Sequence, residues 1–316
     1  MAHAHAFKFI DLCSGIGGFH IACVANGGVC IQACDIDKGA RTIYALNYGV
    51  TPEMDVKTLT LPDSIPDLVC FGNPCQPFST MGLRKGLYDD RGGKVFNAIC
   101  KHLQNTHAKA FIMENVKGLA MHGDFKKMLK KLEKCGYTLS KGLLNSQNFG
   151  TPQHRERVFV VGVRKEIPFS FEKLLAKRCD HIALETILDK AKPDERLHID
   201  RYSSKFDLKN TPTFTTKNGF VIRAEIAPFT DKRLFSSKGA IGTILSSQPP
   251  VIYDERYKQE RFMSRQELLR CQGFPSRLKW PSHMQSQRKV TKYIGNAVHV
   301  GTVKAIIKEM KKQGCL

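Results

Sequence analysis

Short apolar runs alternate with amphipathic segments through the first half of the chain. The apolar runs have the length of buried strands and cover residues 7–12, 29–34, 66–72 and 110–116. Helical patterns follow the first three runs: the first closes at Gly27-Gly28, the second reaches about Asn47, and the third covers about residues 92–106. This alternation of strands and helices indicates an α/β protein with a mostly parallel, doubly wound sheet.

The ends of these predicted strands are the first places to look for function, because ligands of doubly wound sheets bind beyond the carboxyl ends of the strands. A glycine-rich turn, Gly15-Ile16-Gly17-Gly18, follows the first run, and Asp35 lies where a carboxylate binds ribose hydroxyls in nucleotide-binding folds. His20 stands where a dinucleotide motif would have its third glycine. The spacing favours a nucleoside ligand without a pyrophosphate, for example S-adenosylmethionine. A tight turn with no ligand is the alternative.

The strand–helix rhythm ends at about residue 165. Residues 165–262 are rich in Lys, Ser and Thr and contain only short strand-like runs. Beyond them, Ser264 is the predicted N-cap of a helix that ends near Gly273, and an amphipathic helix closes the chain. The pattern therefore predicts a second region of different architecture.

The charge balance points to a polyanionic partner. The 49 Lys and Arg residues against 29 Asp and Glu residues give a formal net charge of +20. A nucleic acid explains this excess most simply, and a merely basic protein is the alternative. No apolar run reaches the length of a transmembrane helix, so we expect no membrane partner. The N-terminal residues lack the pattern of a signal peptide, so we expect a protein that is not secreted.

The 11 cysteines are scattered, and no two have the C-x-x-C spacing. The pattern argues against a disulfide framework and a zinc site, so we expect no metal and a reducing compartment, the cytoplasm or nucleus. Most of the cysteines should be small buried hydrophobic residues. Cys75 differs, because Pro74 and Pro77 hold it in a stiff loop, GNPCQPFS, directly after an apolar strand. It is the candidate nucleophile.

The chain resembles the C5-cytosine DNA methyltransferases from residue 9 to about residue 300. The segments that carry the resemblance occur in the family's order: FIDLCSGIGGFH, DID, GNPCQPFS, MENVKG, QHRERVFVVG, RQELLRCQGFP and YIGNAVHV. The resemblance implies a Rossmann-like methyltransferase sheet with a smaller target-recognition domain. It also implies S-adenosylmethionine as cofactor, S-adenosylhomocysteine as product and double-stranded DNA as partner. The implied domains are 1–164 for catalysis and cofactor binding, 165–262 for target recognition, and 263–316 as a return segment that completes the catalytic domain.

The motifs make chemical sense for cytosine, whose C5 is a poor nucleophile. A thiolate that adds at C6 converts the ring into an enamine whose C5 can take a methyl group, and the resemblance assigns this role to Cys75. It places Glu114 at the N3 edge of the base, with an ordinary helix-capping or salt-bridged glutamate as the alternative, and it places Arg157 at O2. Arg155 is implied to reach the active site, with phosphate binding or capping of the sheet edge as its alternative. Strand alternation predicts that Gln153, Arg155 and Arg157 share one face.

For the cofactor, the resemblance implies contacts from three strand ends and from a late motif. Asp35 would bind the ribose, Asp55 would lie near the adenine amino group, and the methionine end would lie at the glycine turn. The implied cofactor residues are Asp11, Cys13, Gly15, Gly17, Gly18, Asp35, Ile36, Asp55, Asn296 and Ala297. Three positions depart from the family: Cys13 and Ile36 stand where aromatic residues are frequent, and Lys94 where a leucine is usual. Adenine would then be held by smaller apolar contacts.

The implied DNA contacts come from the loop after the nucleophile and from the second half of the chain. Segment 80–91 resembles a mobile lid that closes over DNA, and Thr243 resembles a residue that packs beside a flipped base. A plain core strand is the alternative for the Thr243 segment. The implied DNA-binding residues are Gln76, Ser79, Arg84, Lys85 and Thr243.

The resemblance as a whole implies an enzyme that flips a cytosine out of duplex DNA and methylates it at C5. One alternative is a tRNA-methylating member of the family, whose Cys-Phe-Thr signature is absent from the recognition region. The other alternative is a catalytically inactive regulator that binds DNA. A single short recognition region is more typical of stand-alone prokaryotic or viral modification enzymes, as in restriction–modification systems, than of multidomain eukaryotic enzymes. We expect a monomer in the cytoplasm of a prokaryote, or otherwise in a nucleus or a viral host compartment.

Overall fold

The structure is a computed structural model, and it describes residues 6–72, 92–177, 179, 182–208, 210–217, 219–226 and 232–316. The chain divides into two compact units. The first comprises Met1–Leu144, Glu156–Lys177 and Thr302–Leu316, and the second comprises Asn145–Arg155 and Arg178–Gly301. The domain ranges 1–164, 165–262 and 263–316 stay a prediction.

The strands and helices follow one another in an order that begins with strand–helix alternation. The strands are β1 (Phe7–Leu12), β2 (Gly28–Cys34), β3 (Leu68–Phe71), β4 (Ala110–Val116), β5 (Thr138–Asn145), β6 (Glu156–Val163), β7 (Phe214–Thr215), β8 (Val221–Glu225), β9 (Arg233–Ser236), β10 (Val251–Asp254) and β11 (Gln259–Phe262). The helices are α1 (Gly18–Val24), α2 (Lys38–Tyr48), α3 (Gly92–Thr106), α4 (Lys117–Ala120), α5 (Asp124–Lys134), α6 (Glu172–Leu175), α7 (Arg265–Cys271), α8 (Gln287–Asn296) and α9 (Val300–Lys312).

The first unit is built on a six-stranded sheet of order β2-β1-β3-β4-β6-β5. β1 pairs in parallel with β2 and β3, and β3 pairs in parallel with β4. β6 runs antiparallel to β4. The predicted mostly parallel, Rossmann-like α/β fold is therefore confirmed, with an antiparallel strand beside the parallel core.

Helices cover both faces of this sheet because the side chains of its strands alternate between two apolar layers. Ile10 and Phe71 pack with residues of α3 and α5 in one buried cluster. On the opposite face, the ring of Phe9 lies 5.5 Å from that of His20 in α1, and Cys70 Sγ lies 3.8 Å from Cys23 Sγ. With both faces covered, the open positions for a ligand are at the strand ends.

The second unit contains a five-stranded sheet of order β11-β10-β9-β8-β7, in which β9 and β10 are parallel. A fully buried arginine, Arg261, joins this sheet to α7: its guanidinium lies 2.9 Å from Asp254 Oδ2 and 2.8 Å from Glu267 Oε2. Burial of a charge is unfavourable unless it is paired, and here two carboxylates pair it. Ser264 caps α7 in a capping box with Glu267, which confirms the predicted N-cap.

One detail of local structure differs from the sequence-based expectation. α1 ends at Val24, before the glycine pair at residues 27–28, because the chain needs a turn before β2 begins at Gly28. Tyr293 to Asn296 form the last turn of α8, and the chain leaves that helix at Ala297. Among the described residues, no helix has the length and apolar character needed to cross a bilayer.

Candidate active site

The register of the parallel strands brings four strand ends to one edge of the sheet. Leu12 pairs with Cys34 of β2 and with Phe71 of β3, and Phe71 pairs with Met113 of β4. The residues that follow these positions therefore lie side by side. A Cβ built on Gly72 would lie 3.6 Å from Glu114 Oε2, so the carboxylate of Glu114 stands directly beside the end of β3. This is the edge where the sequence predicted a ligand site.

The glycine-rich turn at this edge has a conformation that only small residues adopt easily. Gly15 and Gly17 have φ angles of 54° and 88°, and Cys13 also lies in the left-handed region with φ 54°. A Cβ on Gly17 would come within 2.2 Å of the Tyr48 ring, whose hydroxyl donates to the Ile16 carbonyl at 2.9 Å. Gly17 is therefore required both by the backbone and by the ring packed beneath it. By contrast, no atom lies within 4 Å of a Cβ built on Gly15.

Asp35 ties this turn to the end of β2. Its carboxylate accepts the Gly15 N–H at 2.7 Å and the Asp37 N–H at 2.8 Å, and Arg41 donates to its carbonyl oxygen at 2.7 Å. Burial raises the pKa of Asp35, and the two backbone hydrogen bonds oppose that rise. Each carboxylate oxygen has two lone pairs, so each can accept one further hydrogen bond.

Two further residues, Ile36 and Asp55, are predicted to contact the cofactor. Ile36 is 71% exposed and directly follows the half-buried Asp35. Asp55 binds the backbone N–H of Lys57 at 3.0 Å and its ammonium at 3.1 Å. Burial acts to raise the pKa of Asp55, but the contacts from Lys57 outweigh it and the net shift is downward. Lys94, the third departure from the family pattern, is exposed on α3.

Asp11 lies beneath the turn and is fully buried. Its Oδ2 accepts from the Tyr44 hydroxyl at 3.4 Å, and its Oδ1 has no hydrogen-bond partner among the described residues. Burial raises its pKa well above the usual range, the charge of Asp35 adds to the rise, and the Tyr44 hydrogen bond opposes it. The prediction that Asp11 contacts a cofactor stays a prediction.

Three side chains that sequence reasoning missed complete this layer. His20 Nδ1 lies 2.7 Å from the Tyr44 hydroxyl, and the His20 ring stacks on Tyr48 with centroids 4.1 Å apart. Burial lowers the pKa of His20 to about 4, so the ring is neutral at physiological pH. His20 lies in α1, and Tyr44 and Tyr48 lie one turn apart in α2. Ordinary core residues have the same spacing, so the sequence pattern did not single these three out.

Glu114 and Arg157 form the charged centre of the first unit's site. Arg157 Nε lies 3.2 Å from Glu114 Oε1, and Arg157 also donates to the carbonyl of Glu156 at 2.8 Å. In the antiparallel pairing of β4 with β6, Glu114 is opposite Phe159 and Arg157 is opposite Val116. The two are diagonal neighbours on one face, which brings their side chains together. Both side chains are mostly buried, 13% and 15% exposed.

Arg155 has a different environment, in the second unit. Its guanidinium is buried and donates to the carbonyls of Ala297 at 2.9 Å and Gly295 at 3.1 Å. The prediction that Gln153, Arg155 and Arg157 alternate along one strand is wrong, because β6 begins only at Glu156. The residues before β6 pair instead with Ile241: the His154 N–H donates to the Ile241 carbonyl, and the Ile241 N–H donates to the Pro152 carbonyl.

The other predicted residues of the second unit lie close to these same backbone segments. Thr243 donates to the carbonyl of His154 at 3.0 Å and is half-buried, outside any regular strand. Asn296 is exposed at the end of α8, and Ala297 is buried. The remaining predicted residues lie outside the described part of the chain: Pro74, Cys75, Gln76, Ser79, Arg84 and Lys85.

Cysteine burial follows the sequence-based expectation closely. Of the ten cysteines in the described residues, seven are buried, including Cys70 and Cys271, and Cys179 is exposed. Burial raises the pKa of Cys34 to about 12, which keeps that thiol protonated. Within the same described ranges, no three His, Cys, Asp or Glu side chains are grouped so as to hold a metal ion.

Two solved methyltransferase structures share the fold of this chain. The S. pombe Dnmt2 methyltransferase superposes with a TM-score of 0.73 at 21% identity, covering 97% of this chain and 99% of the other. The Entamoeba histolytica methyltransferase EhMeth superposes with a TM-score of 0.67 at 18% identity, covering 98% and 99%. The fold is thus that of a Rossmann-like methyltransferase.

Sequence comparison defines the family. Residues 7–312 match the model of the C-5 cytosine-specific DNA methylases. Type II methyltransferase M.DsaV of Dactylococcopsis salina is 32% identical over 316 residues, 96% of this chain and 85% of the relative. Type II methyltransferase M.HaeII of Haemophilus aegyptius is also 32% identical, over 96% of this chain and 92% of the relative. The chain belongs to the C-5 cytosine-specific DNA methylase family.

The buried Asp11 predicts a pH effect on stability. Its folded-state pKa lies above the unfolded value, so the folded protein keeps a proton that the unfolded chain releases. Its contribution to the free energy of unfolding is therefore full below about pH 3.9 and decreases as the pH rises toward the folded-state pKa, by up to about 1.4 kcal/mol per pH unit. Asp11→Asn removes this decrease. Urea titrations should show the variant gaining stability relative to wild type between about pH 5 and pH 8.

Asp67→Asn is the matched control. Burial acts to raise the pKa of Asp67, but its 2.6 Å salt bridge to Lys109 and its hydrogen bond from the Lys8 N–H outweigh burial and lower it. Its contribution is complete above about pH 3.9, so the difference from wild type should be flat between about pH 5 and pH 8. An equally flat difference for Asp11→Asn would contradict the buried, protonated state of Asp11.

Proposed function

We propose that the protein transfers a methyl group from S-adenosylmethionine to C5 of a cytosine in double-stranded DNA, leaving S-adenosylhomocysteine. The observation that carries this proposal is the Glu114–Arg157 pair, 3.2 Å apart beside the end of β3. N3 and O2 are neighbours on one edge of cytosine, so a carboxyl group and a guanidinium side by side can bind both at once. Membership in the family of C-5 cytosine-specific DNA methylases supports the same reaction.

The residues at the sheet edge fit the proposed cofactor. Asp35 retains acceptor sites for ribose hydroxyls, and the space over Gly15 is open. The exposed Ile36 offers an apolar surface for a flat ring, and Asp55 is a carboxylate within reach of an amino group. From the second unit we propose the exposed Asn296 and its neighbour Ala297. When bound, S-adenosylmethionine supplies an electrophilic methyl group.

In the proposed mechanism, Cys75 is the nucleophile. Its thiolate forms a bond to C6 of the cytosine, and the electron pair displaced from the C5–C6 double bond makes C5 nucleophilic. Negative charge develops at N3 and O2, where Glu114 shares a proton and Arg157 donates hydrogen bonds. After C5 has taken the methyl group, a base, either a water molecule or a side chain, accepts the C5 proton. The electrons of that C–H bond re-form the C5–C6 double bond, and the C6–S bond breaks to release the Cys75 thiolate.

Arg155 has a supporting role in this proposal. The two terminal nitrogens of its guanidinium donate to backbone carbonyls next to Asn296 and Thr243, so it holds those segments in place. The net charge of +20 supports binding to the phosphates of a duplex, with Gln76, Ser79, Arg84, Lys85 and Thr243 as the proposed contacts. The relatives that match over most of their own length are named Type II methyltransferases. We therefore propose that this chain is the modification methyltransferase of a restriction–modification system.

Labelled methyl transfer to mixed-sequence duplex DNA and to tRNA tests the substrate and the nucleophile together. The wild-type protein should label cytosine C5 in the duplex, and Cys75→Ala should reduce the rate by about a thousandfold or more. Cys179→Ala is the control, because Cys179 is the exposed thiol among the described cysteines and should be dispensable. Labelling of tRNA alone would exclude DNA as the substrate. Tight duplex binding with no transfer would instead support the inactive regulator.

Glu114→Gln tests the proposed contact with N3. An amide cannot share a proton with the ring nitrogen, so turnover should fall by about a hundredfold or more. The affinity for S-adenosylhomocysteine, measured by calorimetry, should be unchanged because Glu114 is proposed to contact the base alone.

Glu156→Gln is the matched control for that substitution. Glu156 is next to Arg157 and forms a 2.9 Å salt bridge with Lys117, but it lies outside the proposed base contacts. The salt bridge is exposed, so its loss should change stability by only about 0–1 kcal/mol. Turnover of Glu114→Gln equal to that of Glu156→Gln would remove Glu114 from the mechanism.

A further inference from the structure

A chain of three hydrogen bonds runs through the interior of the second unit. The Ile244 N–H donates to Gln153 Oε1 at 3.0 Å, and Gln153 Nε2 donates to Gln272 Oε1 at 2.8 Å. Gln272 Nε2 then donates to the Ala297 carbonyl at 2.6 Å. Both glutamines are fully buried. We call the two side chains Gln153 and Gln272 the amide relay.

The relay has only one satisfactory orientation. Its first group is a backbone N–H, which can only donate, and its last group is a carbonyl, which can only accept. Rotating either amide by half a turn would place N–H against N–H or oxygen against oxygen. A buried polar group left unmatched costs about 1–3 kcal/mol, and aligned hydrogen bonds strengthen one another in a low dielectric. The relay therefore holds its two ends at a defined separation.

The two ends of the relay are next to residues of the proposed site. Ile244 follows Thr243, the proposed DNA contact, and Ala297 follows Asn296, a proposed cofactor contact. Gln272 is the C-cap of α7, and its carbonyl accepts the Val300 N–H at 3.2 Å. The backbone of Gln272 is therefore bonded to the start of α9, while its side chain belongs to the relay.

Arg155 makes a second connection between the same two segments. It donates to the carbonyls of Ile244, Gly295 and Ala297. Removal of Gln272 would therefore leave the Arg155 contacts and the close packing of Gly295 on Leu245 in place, so the two segments would stay near each other while losing the relay. This allows the role of Gln272 to be tested without dismantling the unit.

We propose that Gln272 is a positioning residue that couples cofactor binding at Asn296-Ala297 to DNA binding at Thr243, an inference that rests on the proposed function. A ligand that immobilises one end of the relay also orders the other end, so the second ligand loses less conformational freedom when it binds. Such coupling is reciprocal: each ligand increases the affinity for the other by the same factor.

The test compares DNA affinity with and without S-adenosylhomocysteine, which binds but cannot transfer a methyl group. Fluorescence anisotropy is measured on a duplex that the protein methylates. For the wild type, saturating S-adenosylhomocysteine should tighten duplex binding by about fivefold or more. Gln272→Met keeps the length of the side chain but removes its donor and acceptor, and the factor should fall to about one.

Gln287→Met is the matched control. Gln287 lies in the same unit, and its Nε2 donates to the Met263 carbonyl at 2.6 Å, but it is outside the relay. This variant should keep the wild-type factor. Thermal denaturation of both variants separates an effect on coupling from an effect on stability. A purely structural role for Gln272 would lower the melting temperature without changing the factor by which S-adenosylhomocysteine tightens duplex binding.

Hydrogen exchange on the wild type provides a readout that needs no variant. S-adenosylhomocysteine should slow exchange of the Ile244 amide, at the far end of the relay from Ala297. Unchanged exchange there, or an unchanged factor in folded Gln272→Met, would overturn the inference. Methyl transfer by a wild type that shows no coupling would overturn the inference and leave the proposed function intact. A wild type that transfers no methyl group would remove both.

Discussion

The antiparallel pairing of β4 with β6 is the constraint on which the proposed chemistry depends. It places Glu114 and Arg157 diagonally on one face, with 3.2 Å between Arg157 Nε and Glu114 Oε1. Both side chains are largely buried, so neither can be removed without leaving the other charge in a poorly solvated place. An alternative register, shifted by one residue, would send Arg157 to the opposite face of the sheet. The backbone ladder, rather than a flexible side chain, thus sets the geometry that recognition of one base edge requires.

The glycine turn depends on a second constraint, which lies beneath it. Tyr48 fills the space where a Cβ of Gly17 would stand and bonds the Ile16 carbonyl, while His20 and Tyr44 form a neutral hydrogen-bonded pair. Asp11, with its raised pKa, belongs to this supporting layer. The turn is therefore shaped before any ligand arrives, which reduces the ordering that binding would need.

The local pattern of apolar residues was sufficient to predict many of the helices and strands of the first unit. The wrong predictions concern residues whose structure is set by contacts with distant parts of the chain. The bounds of α3 and β4 were predicted from apolar periodicity and composition, because both elements are long and regular. The alternation assumed for Gln153 and Arg155 was wrong because those residues are held by the 241–244 segment, which lies far along the chain. The relay through Gln272 could not be inferred at all, since a glutamine near a helix end is most often exposed. Sequence motifs found the candidate residues, but only tertiary contacts separate those that line the proposed site from those that hold it in place.

The proposed bond between Cys75 and C6 of a cytosine in duplex DNA can be trapped and identified. A duplex that the protein methylates is prepared with 5-fluorocytosine in place of cytosine and incubated with S-adenosylmethionine. Fluorine cannot leave C5 as a proton does, so the Cys75–C6 bond should persist after methyl transfer. The complex should survive denaturing electrophoresis, and a digest should yield the modified nucleotide attached to the peptide containing Cys75. An adduct on another cysteine, or no adduct with a duplex whose unmodified form is methylated, would contradict the proposed Cys75–C6 bond.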